Sequence, residues 1–302
     1  RAGEGLLNPD RGDPLHNIRF QGAYVSPDER DGIVRDLVAK AARTGWARTP
    51  RVFDGDALAD RSLVPPGIFS TPSDRPNRLK FVVGEPLSLE AHLEVVLRRD
   101  LDNNVALIGR SNDEDGEPIA GLIGVLNSLL LAASHQVEEV HVVDLLNDEG
   151  VPVEGKNPGR LSLEQITTDL GLAFHKRRAL AATIRSHASI VDERIVAEDY
   201  LSPTRVLVLY GLQRAADLDP EDYSEDEEPS ATALKRILRD GPEVGVHTIL
   251  VADSASSLAR RLGDLPLEHV ALRICGPLSS DEELQSVLGL NQSFDLRFNH
   301  LV

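Results

Sequence analysis

Methionine is absent from this sequence of 302 residues, cysteine occurs once, and aromatic residues make up only 4% of it. The single Cys275 excludes an internal disulfide and suits a reducing, cytoplasmic compartment. No apolar run approaches 18 residues and no signal peptide opens the sequence, so we predict neither a membrane-spanning nor a secretory segment. Because the sequence opens at Arg1 without an initiator methionine, we expect it to be a piece of a larger polypeptide.

Positive charge is also scarce, with 32 Lys and Arg against 49 Asp and Glu and a formal net charge of −17. This balance argues against broad, sequence-independent DNA binding by the chain alone, because such binding relies on basic residues that neutralise phosphates. Residues 217–228 carry eight of the acidic residues. A solvated loop is favoured over a metal site there, because runs of like charge repel one another.

Apolar runs alternate with helical patterns from residue 79 onwards, which predicts an α/β fold with a mostly parallel central sheet flanked by helices. We predict residues 79–302 as this domain and the turn-rich residues 51–78 as a connector. Residues 1–50 contain one short strand, Arg19–Val25, and one helix. The N-terminal residues thus form a linker segment ahead of the main domain.

The helix of the linker segment has a complete start signal. Ser26 is the predicted N-cap, Pro27 is the first helical residue, and Glu29 completes a capping box. Ile33, Leu37 and Ala41 would form its apolar stripe.

Residues 104–119 have the layout of a P-loop, in which a strand, a glycine, a polar turn and a helix follow one another. In the motif G-x-x-x-x-G-K-[ST] counted from Gly109, Glu114 replaces the second glycine, Asp115 the lysine and Gly116 the hydroxyl residue. Asp115 would face the phosphates in place of the lysine, so an attraction would become a repulsion. Two unit charges about 4 Å apart at an effective dielectric constant of about 20 interact by roughly 4 kcal/mol. We therefore predict a P-loop scaffold that does not bind ATP. An ordinary strand–loop–helix of another α/β protein remains an alternative on these residues alone.

A hydrolysing P-loop enzyme also needs an apolar strand that ends in Asp-Glu, where Asp organises Mg²⁺ and Glu positions the attacking water. The matching strand here, residues 206–212, carries Tyr210 and Gly211 at those two positions. Both halves of the hydrolytic machinery are therefore predicted to be degenerate.

The order of these motifs resembles the FtsK/SpoIIIE family of hexameric DNA-pumping ATPases over about residues 79–290. Gly245, Val246 and His247 fit one family segment, but Asp253 replaces the phosphate-sensing glutamine of that segment. The other segments that resemble the family are an Asp-ending strand, a basic helix and a strand with a Ser-Asp turn, at Val140–Asp144, Thr168–Arg178 and Leu272–Asp281.

The resemblance implies a RecA-like P-loop NTPase fold. Residues 1–8 and 19–25 look like the tail that follows a motor core in the same family, so the chain is expected to hold a degenerate second motor domain of a tandem-ATPase protein. Its implied role is a non-hydrolysing structural or regulatory module of a larger DNA translocase. No cofactor is expected in this segment, whereas ATP and Mg²⁺ are expected in an upstream active ATPase domain.

The implied partners are that upstream domain, further copies of the protein, and double-stranded DNA bound through the assembled protein. A rival interpretation is a divergent motor domain of a type VII secretion-like ATPase that binds exported proteins. An active translocase is disfavoured by Glu114, Asp115, Tyr210 and Gly211.

Four basic residues are candidates for DNA or partner contact, although a solvated face is the simpler interpretation of the same cluster. They are Lys176, Arg177, Arg178 and Arg185. His175 and His187 are predicted to be solvent-exposed beside them. His247 and Cys275 are interpreted as a structural histidine and an inert buried thiol.

Overall fold

A computed structural model gives the architecture, and its chain divides into two compact units, Arg1–Phe53 and Asp54–Val302. The structure describes residues 4–7, 17–46, 78–84, 93–110, 120–146, 163–218, 228–262, 267–276, 278 and 280–289. None of the helices in these ranges is both long enough and apolar enough to cross a membrane.

The first unit contains an antiparallel strand pair and one helix. These are β1 (Glu4–Leu7), β2 (Ile18–Gln21) and α1 (Pro27–Thr44). The predicted strand 19–25 ends four residues early, at Gln21.

The predicted capping box at the start of α1 is confirmed. The backbone N–H of Glu29 donates to Ser26 Oγ at 3.3 Å, and the backbone N–H of Ser26 donates to Glu29 Oε2 at 2.9 Å. Gly45 ends the helix in the left-handed region, with φ 66°.

A six-stranded parallel sheet forms the centre of the second unit, in the order β10-β5-β9-β8-β6-β7. Its strands are β5 (Val105–Ile108), β6 (Glu139–Asp144), β7 (Ala173–Lys176), β8 (Arg205–Tyr210), β9 (Val246–Ala252) and β10 (Leu272–Cys275). The prediction that β5 and β8 are inner, parallel strands is confirmed. All four residues of β5 are buried, as a strand covered on both faces requires.

Helices cover both faces of this sheet. They are α2 (Ala120–Gln136), α3 (Leu163–Asp169), α4 (Leu180–Val196), α5 (Ser230–Asp240), α6 (Ala255–Leu262) and α7 (Asp281–Leu288). The two faces of the sheet pack into two separate hydrophobic cores, and alternate residues of β5 belong to different cores. Val105 and Leu107 pack with α2 and α3, whereas Ala106 and Ile108 pack with the other four helices.

A separate antiparallel hairpin, β3 (Leu79–Gly84) and β4 (Leu93–Leu97), packs on α2. The Gln136 side chain donates to the Lys80 carbonyl at 2.8 Å and accepts from the Lys80 N–H at 2.9 Å. Ser128 Oγ donates to the Val82 carbonyl at 2.6 Å. The hairpin therefore closes one of the two cores.

A buried amide joins elements at the amino ends of the strands. Asn104, directly before β5, donates to the carbonyls of Leu238 and His269 at 2.7 and 2.8 Å, and it accepts from the Thr248 N–H at 2.8 Å. This side chain is completely buried. It stabilises the start of β5 because its polar atoms are paired inside the core.

The predicted basic helix 168–178 is wrong. Gly171, with φ 69°, follows the end of α3 at Asp169, and the chain then enters β7 and a 3₁₀ turn, Arg177–Ala179, before α4. Pairing of residues 173–176 with β6 decides this conformation, and the local sequence does not show that pairing.

The strand predicted at 267–274 and the last residue of the acidic segment 217–228 also differ from what the sequence predicts. The strand predicted at 267–274 covers only Leu272–Cys275, because residues 267–269 form a turn. Most of the acidic segment 217–228 lies outside the described residues. Its last residue, Glu228, pairs with Arg236 at 2.6 Å and is therefore not simply solvated.

Candidate functional site

The carboxyl ends of the parallel strands meet along one edge of the sheet, where sites in open α/β sheets form. Backbone hydrogen bonds fix their order beyond the strands themselves. Gly276 donates to Ile108 at 2.8 Å, Gly109 donates to Ala252 at 3.0 Å, and Gly211 donates to Val251 at 3.0 Å. The positions that follow β5, β9 and β8 are therefore neighbours.

Gly109 lies where no larger residue fits. A Cβ atom built on it would be 2.8 Å from Leu122 Cδ1 and 3.0 Å from the Gly276 backbone. The glycine thus permits a close approach between the end of β5, α2 and the end of β10. Glu114, Asp115 and Gly116 lie outside the described residues, so their predicted roles stay predictions.

Tyr210 and Gly211 lie at the end of β8, as the sequence analysis expected. Gly211 has φ 87°, in the left-handed region, and a Cβ atom on it would be 2.4 Å from Leu146 Cγ. Leu146 follows β6 and therefore packs directly over Gly211. An aliphatic side chain occupies the space beside the position assigned to the water-positioning carboxylate.

Leu146 is held in place by the buried Asp144 at the end of β6. The Asp144 carboxylate accepts from the Leu146 N–H at 2.9 Å, and the Leu145 N–H donates to the Tyr210 carbonyl at 2.9 Å. Asp144 is only 5% exposed. The turn after β6 is therefore ordered against the end of β8.

A small pocket of about 20 Å³ lies between these elements. That volume corresponds to space for about one water molecule. Among the described residues of its wall most side chains are apolar, and Arg110, Tyr210 and Gln213 carry polar groups. The lining residues are Gly109, Arg110, Leu122, Leu126, Leu146, Tyr210, Gly211, Gln213, Val251 and Ala252.

Asp253 lies just beyond β9 and is half-buried. Its Oδ1 atom accepts from Ser254 Oγ at 3.0 Å. The start of α6 is already occupied by an anion of the chain itself, because the Ala255 N–H donates to Glu283 Oε1 at 2.9 Å. A phosphate would have to displace this carboxylate to use the same amide.

The four candidate basic residues lie on three elements. Lys176 ends β7, Arg177 and Arg178 form the following 3₁₀ turn, and Arg185 is an exposed residue of α4. The first three are consecutive at the carboxyl edge of the sheet. They do not form the helix face that the sequence analysis assumed.

The prediction that His187 is solvent-exposed is wrong, because it is 1% exposed inside the core beneath α4. His175 is half-buried rather than exposed, because β7 pairs with β6. His247 is a buried structural histidine, as interpreted, and its Nδ1 lies 2.8 Å from the Asn103 carbonyl. Cys275 is buried as predicted, and burial raises the pKa of its thiol to about 12.

The contacts of Leu146 and Glu283 and the burial of His175 and His187 were missed by sequence reasoning. Each involves residues that are far apart in the chain, and none belongs to a motif. For Leu146, the sequence around the end of β6 carries no signal of this contact. In the described ranges, no group of three or more His, Cys, Asp and Glu side chains is arranged to hold a metal ion.

No family model and no curated protein matches the sequence. Among solved structures, the cytoplasmic domain of EssC aligns with a TM-score of 0.50 at 12% identity, over 95% of this chain and 54% of that chain. The pCW3 conjugation coupling protein TcpA, solved as a monomer with ATPgS, aligns with a TM-score of 0.49 at 12% identity, over 95% and 70% of the two chains.

The cytoplasmic domain of the type VII secretion ATPase EccC from Thermomonospora curvata aligns with a TM-score of 0.49 at 15% identity. That alignment covers 76% of this chain but 27% of EccC, so the chain spans about half of the EssC structure and about a quarter of EccC. These neighbours are FtsK/SpoIIIE-like motor domains. The six-stranded sheet and its helices have the RecA-like P-loop ATPase fold of the EssC cytoplasmic domain.

Proposed function

We propose that this chain is a non-hydrolysing FtsK/SpoIIIE-like module that supports or regulates a larger ATP-driven DNA translocase. The observation that carries the proposal is the contact of Leu146 with Gly211. It places an aliphatic group beside the position where a hydrolysing enzyme needs a carboxylate and a water molecule. Tyr210 at the preceding position has no carboxylate for Mg²⁺.

The small pocket supports the same proposal. A nucleotide needs donors for its phosphates, whereas the described wall is mainly aliphatic and the α6 amide is bound to Glu283. ATP and Mg²⁺ would then be bound by an upstream active motor domain of the same polypeptide. The assembled protein would be a homo-oligomer that contacts double-stranded DNA.

The first test is a thermal melt of the chain with millimolar ATP and Mg²⁺. A ligand that binds the folded state at a hundredfold excess over its Kd would stabilise it by about 2.7 kcal/mol. We expect no upward shift of the melting temperature, because the lysine, hydroxyl and carboxylate positions hold Asp115, Gly116 and Gly211. A clear ATP-dependent rise would contradict the proposal.

A matched variant sharpens this test. The double change Asp115→Lys and Gly116→Thr restores the phosphate and Mg²⁺ groups but leaves position 211 without a carboxylate. We expect this variant to remain without ATP turnover in a phosphate-release assay. Turnover by the double variant would mean that another residue positions the water.

DNA contact by the basic residues has a separate test. Changing Lys176, Arg177 and Arg178 together to Ala should weaken DNA binding by the full-length protein. If each contacts one phosphate, the slope of log K against log salt should fall by about 3 in magnitude. Arg185→Ala serves as the single-site comparison on α4. An unchanged slope in the triple variant would identify the cluster as a solvated face.

A second candidate function is recognition of an exported protein. The aliphatic wall beside the small pocket favours it, because an apolar peptide side chain would pack against Leu122, Leu126 and Leu146 better than a phosphate would. Parallel binding assays with duplex DNA and with exported peptides would separate the two functions. Leu146→Asp should weaken peptide binding and leave DNA binding unchanged if this second candidate is correct.

A further inference from the structure

Three histidines converge on one face of the sheet beside its outer strand. His141 of β6 stacks on His175 of β7, with ring centroids 5.1 Å apart, and meets His187 of α4 edge-on at 4.9 Å. We refer to His141, His175 and His187 as the histidine cluster. The cluster joins β7, which is the edge strand of the described sheet, its neighbour β6, and the helix that covers them.

A continuous hydrogen-bonded chain runs through the cluster. His141 Nδ1 lies 2.9 Å from His175 Nε2, and His141 Nε2 lies 2.6 Å from Glu139 Oε1. The other oxygen of Glu139 forms an ion pair with Arg205 of β8. Only one hydrogen fits between the two facing ring nitrogens, so one ring must donate and the other must accept.

His187 has a different environment. Its Nδ1 atom lies 2.8 Å from the Thr183 carbonyl, and its Nε2 atom is buried without a hydrogen-bond partner among the described residues. Burial lowers the pKa of His187 to about 4. Burial and then the neighbouring His141 lower the pKa of His175. Both rings are therefore neutral at pH 7.

The charge of the cluster is balanced only in this neutral state. The Glu139 carboxylate and the Arg205 guanidinium cancel, and the neutral rings of His175 and His187 add no charge. One added proton makes the half-buried cluster positive. The hydrogen-bonded chain can still hold that proton, with His141 donating to His175. A second proton on His175 would place two N–H groups against each other at the 2.9 Å contact.

We propose that the histidine cluster is a proton-operated latch, in which acidification breaks the contact between His141 and His175 and detaches the edge strand β7 from β6. The strand is poised for this because it is only four residues long, all of them half-buried, and among the described strands it pairs with β6 alone. Lys176 ends the strand and Arg177 and Arg178 follow directly, so detachment would change how these basic residues are presented.

The charged groups around the latch favour opening. Arg205 faces the cluster from β8, and Arg194 of α4 lies near Arg205, with the carboxylates of Asp199 and Glu138 also acting on it. Lys176 and the 3₁₀ turn extend from the end of β7. From the opposite face, α3 contributes only the exposed Glu164 and Asp169. Among the described residues, Glu139 is the carboxylate in contact with the rings, and it already pairs with Arg205.

The test is hydrogen exchange of the whole chain at pH 7.5, 6.0 and 5.0, with labelling times corrected for the intrinsic exchange rate. We expect residues 173–176 to lose protection by about tenfold relative to β9 across the window below the ordinary histidine pKa of about 6.5. An equal change in protection of β7 and β9 over this pH range would overturn the proposal.

His175→Gln is the decisive variant. A glutamine amide reaches the same position, can donate or accept at His141, and cannot be protonated. We expect its loss of β7 protection at pH 5.0 to be less than about twofold, since the second proton is excluded. His269→Gln is the matched control. His269 also contacts a carboxylate, Asp102 at 2.8 Å, but lies outside the cluster. In this variant the β7 amides should lose as much protection at pH 5.0 as they do in the unaltered chain.

A second measurement applies if His175→Gln does not fold. Ring-nitrogen NMR of the unaltered chain should show His175 taking up its proton over the same pH range in which the β7 amides lose protection. Protonation of His175 with the β7 amides still protected would overturn the proposal, as would a loss of β7 protection equal to the unaltered chain's in folded His175→Gln.

Discussion

Helices α1 and α2 have almost the same length, 18 and 17 residues, but different interactions hold them. Helix α1 has an N-cap, a capping box and a left-handed C-cap glycine, yet none of its residues is buried. Helix α2 buries Leu122, Leu126, Leu129 and Leu130 against the hairpin and the sheet. Local signals are sufficient to specify a helix, whereas tertiary burial supplies most of the stability.

The largest effect should come from the same substitution in the two units. Leu107 of β5 is completely buried, and Leu37 of α1 is 59% exposed. Leu107→Ala should reduce the free energy of unfolding of the second unit by about 2–5 kcal/mol, because it leaves a cavity. Leu37→Ala should change stability by less than about 0.5 kcal/mol. Urea denaturation followed by circular dichroism measures both changes in the free energy of unfolding. Equal losses in the two variants would contradict the view that tertiary burial stabilises the chain at Leu107 but not at Leu37.

Acidification should give the next largest effect, and only in the second unit. Burial lowers the pKa of both His187 and His247 to about 4, below their unfolded value of 6.5. Between these values the unfolded state binds more protons, so stability is lost as pH falls from about 6.5 to 4 and is constant above that window. Each group can contribute roughly 3 kcal/mol.

Urea midpoints at pH 7.5 and 5.0 test this loss. We expect His187→Phe to lose less stability than the unaltered chain over this interval, because one buried titration is removed. An unchanged pH dependence in this variant would assign the effect to other groups.

The cap of α1 should give a smaller effect than either the Leu107 substitution or acidification. Ser26→Ala removes the side-chain oxygen that accepts from Glu29 N–H and should cost about 1 kcal/mol of helix stability. Helical content of the first unit, read from backbone NMR shifts of residues 27–44, is the measurement. Thr44→Ala at the other end is the control, since its hydroxyl bonds only carbonyls within the helix. A larger loss in the control would contradict the assigned role of Ser26.

The predicted site shows how far sequence reasoning reaches. Gly109, Tyr210, Gly211 and Asp253 could be placed at strand ends, because strand boundaries follow from apolar runs. The packing of Leu146 over Gly211 could not be predicted, since it joins loops that are 65 residues apart in the sequence. The hydrogen bond from the amide at the start of α6 to Glu283 could not be predicted either, because it also joins positions that are far apart in the sequence.

The sequence by itself determined the inner strands β5 and β8 and the start of α1, because continuous apolar runs and capping residues act over a few neighbouring positions. Only the tertiary structure decided that residues 173–176 form a strand and that His187 is buried. The segment of residues 173–176 is too short for a periodic signal, and pairing with β6 provides the hydrogen bonds that hold it. His187 became a core residue because α4 packs on the sheet at that position, a contact between distant parts of the chain.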